Sequence, residues 1–132
     1  MSTNPNNNLL TIFNDHFIEF ITDIHNVFPE DPDILTAKNA LSSIRKANPK
    51  LIVKIWIKYV ANPYHDMILA GDLNFFIEKD YAKDLTKIGP TDQIMESIDR
   101  LRNPVKQMNP ENQQKTMKYI QNLCKIAALV PN

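Results

Sequence analysis

Glycine, cysteine and tryptophan are what these 132 residues hold least of, and net charge is absent altogether. Two glycines, Gly71 and Gly89, are too few for a glycine-rich phosphate loop. One cysteine, Cys124, excludes an internal disulfide framework and fits a reducing compartment. On an apolar helix face it reads as an inert thiol rather than a nucleophile. The histidines, His16, His25 and His65, are scattered and have no cysteine pair beside them, which excludes a zinc pattern. Asp31 and Asp33 lack the further oxygen ligands and the glycine of a calcium loop. No metal, no cofactor and no catalytic constellation is expected, so the chain is not read as an enzyme. Fifteen basic residues against fifteen acidic ones produce no whole-protein field toward nucleic acid or membrane. The most apolar stretch, LIVKIWIKYV, is interrupted by Lys54 and Lys58 and is too short to span a bilayer. The first eight residues, MSTNPNNN, lack the basic start of a secretory signal and read as a disordered polar lead-in.

Asparagine and proline are plentiful and mark out the chain. Five of the nine prolines follow asparagine, at Asn4-Pro5, Asn48-Pro49, Asn62-Pro63, Asn103-Pro104 and Asn109-Pro110. Asparagine caps a helix start through its side-chain oxygen, and proline suits the first turn, where a missing donor costs nothing. Asp31-Pro32 reads the same way, with Asp33 adding a carboxylate near the positive end of the helix. Between these marks the apolar spacing is helical throughout, and neither strand alternation nor an Asn-Gly hairpin interrupts it.

The spacing predicts helices over 9–27, 32–47, 49–61, 63–70 and 73–85. After a loop at TKIGPT, a further helix covers 92–102, kinked or ended by Pro104, and the last opens at Pro110. The expected architecture is all-α, a compact single-domain bundle of about six to seven helices over 9–132, with helix 49–61 at its centre. In YHDMILAGD, Gly71 is expected to end one short helix in the left-handed conformation and Asp72 to cap the next. That assigns a structural job to the segment, because neighbours such as His65 and Asp66 project about 100° apart on a helix and cannot both orient one group.

The charge pattern carries the functional information. Residues 1–37 hold six acids and no lysine or arginine, whereas the six charges from Lys38 to Lys58 are all basic. Asp15, Glu19 and Asp23 recur every four residues, and so do Lys50, Lys54 and Lys58. Each trio therefore lies along one narrow stripe of its helix. Between the lysines every residue from Leu51 to Val60 is apolar or aromatic, so that helix should be nearly surrounded by protein with only its lysines in water. Either the two stripes are solvated or face each other in one bundle, or the basic one docks a partner. In the docking case Arg45, Lys46, Lys50, Lys54 and Lys58 form the binding surface for an acidic protein or a phosphate backbone. Scarce arginine argues against sequence-specific reading of nucleic acid.

The stretches FPEDPD, ANPKLIVKIWIKYVANPY, GDLNFFIEKDY and ENQQKTMKYIQNLCKIA together resemble an uncharacterised family of small helical proteins encoded by giant, nucleocytoplasmic large DNA viruses. An abundance of Asn, Ile and Lys, as an AT-rich genome would encode, agrees with that resemblance. It implies a setting, the host cytoplasm, a virus factory or the virion, and supplies no catalytic or binding residues. The function expected on these grounds is a helical interaction module that binds a viral or host protein, with phosphate-backbone binding as the alternative.

Overall fold

The computed structural model describes residues 5–78 and 90–130. Among them are seven helices and no strand: α1 (Pro5–Val27), α2 (Pro32–Ala47), α3 (Leu51–Trp56), α4 (His65–Leu69), α5 (Asn74–Glu78), α6 (Pro90–Lys106) and α7 (Pro110–Leu129). The all-α bundle is as the spacing predicts. None of these helices is long and apolar enough to cross a membrane.

Apolar residues three and four apart build one core. Phe13, Phe17, Phe20, Ile21 and Ile24 of α1 meet Ile34, Ala37 and Leu41 of α2, Ile94, Ile98 and Leu101 of α6, and Ile120 and Leu123 of α7. At the middle stands Trp56, 0% exposed, with the Phe17 ring edge-on at 5.3 Å and Phe13 at 6.5 Å. Such tilted pairs add about 1 kcal/mol each beyond the area they bury. Helix α3 touches α1, α2 and α6, and the turn that continues it, 57–61, touches α4 and α7, so the 49–61 segment lies among five of the other helices. Between Leu51 and Val60 only Lys54, in α3, and Lys58, in the turn that follows it, are exposed.

Several helix ends fall where local chemistry puts them. Asp31 accepts the Asp33 amide at 2.8 Å, and Asn109 accepts that of Asn112 at 2.8 Å. Gly71 has φ +74°, its amide reaches Ile68 O, and the next amide, Asp72, reaches Met67 O. This paired return to the last turn closes α4 as a Schellman motif. Asp72 then accepts the Asn74 amide at 3.0 Å and so caps α5.

Other boundaries differ from the expectation. α1 starts at Pro5 rather than Leu9, so residues 5–8 of the polar lead-in are helical; residues 1–4 lie outside the described residues. Residues 79–85 of the fifth expected helix, and 86–89 of the loop after it, also lie outside them. Asn48 caps nothing with its side chain: its carbonyl accepts Leu51 N and its amide finishes α2 on Ile44 O. Pro104 neither kinks α6 sharply enough to end it nor stops it, and the helix runs on to Lys106. Pro104 is buried, and one turn later the chain breaks anyway, so the side chain's packing offsets the one lost backbone bond. Finally, 49–61 is not a single α-helix. Past Trp56 it widens into a π turn, Ile57–Ala61, closed by the Asn62 amide on Ile57 O at 3.0 Å. The widening sits directly before Pro63, whose missing amide prevents the α ladder from continuing.

Candidate interaction surface

The five basic residues singled out by spacing do not form one uniform surface. Arg45 turns back to α1, where its Nη2 lies 2.5 Å from Asp15 Oδ1 and its side chain is 28% exposed. Lys46, Lys50, Lys54 and Lys58 are exposed, and among the described residues none of them has a carboxylate partner. The ammonium of Lys58 lies 5.4 Å from the centre of the Tyr59 ring, a weak cation–π contact at the surface.

The acidic stripe of α1 is engaged elsewhere. Asp15 holds Arg45, while Glu19 and Asp23 accept from the Tyr119 hydroxyl of α7, Glu19 at 3.2 Å and Asp23 at closer range. The His16 ring packs at a tilt against Tyr119, with ring centres 4.9 Å apart, and puts its Nδ1 3.6 Å from Glu19. Burial first, then the Asp23 and Glu19 carboxylates, push the Tyr119 phenol well above its ordinary range. The two stripes therefore do not face each other. One ties α1 to α2 and α7, and the other reaches water.

The segment with His65 and Asp66 is at the surface. His65 Nδ1 stands 3.6 Å from Asp66 Oδ1, with both side chains largely exposed. Near His65 the structure shows a groove that single-element periodicity does not reveal. It has a volume of about 510 Å³ and is walled by the π turn (Ile57, Ala61), by α4 (His65, Ile68, Leu69) and by the last turns of α7 (Cys124, Ala127, Ala128). The lining is mainly apolar, with Asn62, His65, Gln121 and Lys125 as its polar members. Gln121 is committed to the Ile68 carbonyl at 2.9 Å, which pins α4 to α7. Leu69 is 70% exposed, and Leu129, near the end of α7, is 65% exposed. The sequence does carry a signal for this groove, an apolar run from Ile126 to Val130 together with Met67 and Leu69, more hydrophobic surface than the core can absorb.

Cys124 is half-buried rather than sealed in the core. It accepts the Trp56 indole N–H at 3.4 Å, and burial pushes its thiol up, an effect the indole contact partly opposes. The group is held as a thiol, the unreactive form. Among the described residues no three His, Cys, Asp or Glu side chains group so as to hold a metal ion. No family model, no curated protein and no solved structure matches the chain.

Proposed function

We propose that this protein is a non-enzymatic helical interaction module that binds another protein, viral or host, inside a cell infected by a large DNA virus. The observation that carries the reading is the apolar groove between the π turn, α4 and α7, with Leu69 and Leu129 standing out beside it. Exposed leucines next to a concave apolar surface favour a partner that removes them from water, at about 25 cal/mol per Å² of apolar surface covered. π turns also recur at functional sites, where they displace a helix face from its regular path. The same groove offers little for chemistry, because its cysteine is kept protonated and its glutamine is already bonded.

The test is recovery of tagged protein from infected cells, in parallel with Leu69→Lys/Leu129→Lys. Both positions are solvated, so the variant keeps its fold. A protein retained by the parent and lost by the variant supports the reading, whereas identical recoveries from both sink it.

A second reading rests on Lys46, Lys50, Lys54 and Lys58, exposed and without carboxylate partners among the described residues, as contacts to a phosphate backbone. Single-stranded oligonucleotide binding measured by anisotropy would then weaken steeply with salt, each neutralised phosphate adding roughly 0.7 to the slope. Binding that is absent at low salt removes it.

A further inference from the structure

Resting on the interaction reading, we infer that the occupant of the groove is an amphipathic helix of the partner with acidic residues along both edges of its apolar face. Length comes first. The groove follows α7 from Gln121 to Val130, roughly 14 Å at 1.5 Å per residue, which accommodates apolar anchors at i, i+4 and i+7 of a docked helix. Ala61, Ala127 and Ala128 line it with small side chains, so a partner backbone can approach closely there.

Charge then selects the partner. Lys54 precedes Ile57 by three residues, and side chains three apart are neighbours on an α-helix surface; Lys58 directly follows Ile57. Lys54 therefore borders the wall at Ile57, with Lys58 the next residue along the chain and likewise exposed. On the opposite wall stands Lys125, exposed. The groove thus has cations along both edges. On the elements that wall it, the carboxylates are Asp66, set against His65, and Glu111, in the first turn of α7 and more than two turns before the groove. An apolar face edged by glutamate or aspartate complements this arrangement, and one edged by lysine places like charges opposite each other. The exposed lysines and the groove, separate observations along the chain, become parts of one surface.

A displayed library of helical peptides tests it, with apolar anchors fixed and the flanking positions varied among Glu, Gln and Lys. Selection on the parent protein is expected to enrich Glu at the flanks, and the selected peptides should bind Leu69→Lys at least about tenfold more weakly. Selection on Lys54→Glu/Lys58→Glu/Lys125→Glu should enrich Lys instead. Flanks that show no charge preference, peptides indifferent to Leu69→Lys, or no enrichment at all would each overturn the inference. So would sedimentation equilibrium showing self-association abolished by Leu69→Lys, since the occupant would then be a second copy. If cells yield a partner that depends on Leu69 while the library shows no acidic preference, the inference fails and the interaction reading survives. If neither gives a signal, both fail.

Discussion

Tyr119 has one hydroxyl proton and two carboxylates, Glu19 and Asp23, around it. Burial disfavours the ionised phenol, and ionising it would also place three negative groups together at the junction of α1 and α7. The folded state therefore favours the neutral phenol, while the unfolded chain ionises it near ~10. A folded value raised above the unfolded one contributes stability that is whole below ~pH 10 and is lost as the pH climbs toward the folded value. Urea midpoints are expected to fall between ~pH 9.5 and ~pH 11.5 more steeply for the parent than for Tyr119→Phe, which has no phenol to ionise. Parallel slopes would exclude Tyr119 from the linkage. Spacing exposes the stripe that Tyr119 serves but not Tyr119 itself, which lies 96 residues from Asp23. Nothing local marks that pairing.

At the scale of the element, the end of α4 turns on Gly71. Its φ of +74° is a conformation L side chains rarely adopt, yet a Cβ there would meet nothing nearer than Gln121 Nε2 at 3.9 Å. A methyl group fits, so Gly71→Ala is expected to cost only the left-handed backbone penalty, about 1–2 kcal/mol in a denaturant melt. Asp72→Ala, which removes the cap on α5, should cost about 1 kcal/mol. An unchanged melt for Gly71→Ala would mean the turn relaxes to negative φ. These ends are legible in the sequence because capping involves residues two to four apart, as at Asp31, Gly71, Asp72 and Asn109. Asn48, Asn62 and Asn103 carry the same Asn-Pro signature without starting a helix by side-chain capping, since tertiary packing decides how each pair is used. The π turn escapes notice because apolar residues three and four apart look alike on an α or a slightly wider helix. The groove shows in the sequence only as surplus apolar residues, its walls coming from three elements up to 73 residues apart, Ile57 to Val130.

Across the whole molecule, the two charged stripes have different work. The acids of α1 hold helices together through Arg45 and Tyr119, whereas Lys50, Lys54 and Lys58 have no carboxylate partner among the described residues. Reversing Lys50, Lys54 and Lys58 to glutamate should therefore change stability by no more than about 0.5 kcal/mol, as for other solvated positions. Combining it with reversal of Asp15, Glu19 and Asp23 should give no coupling beyond the loss from the acids alone. A large loss rescued by the second reversal would show that the stripes meet. The neighbourhood of Trp56 has a consequence of another kind. The chain's one indole donates to the sulfur of Cys124, and that cysteine lines the groove. A thiol at contact range quenches indole emission, so the excited-state lifetime of the unlabelled protein depends on the separation of α3 and α7, and anything that pries those helices apart would be recorded as a brighter, longer-lived signal.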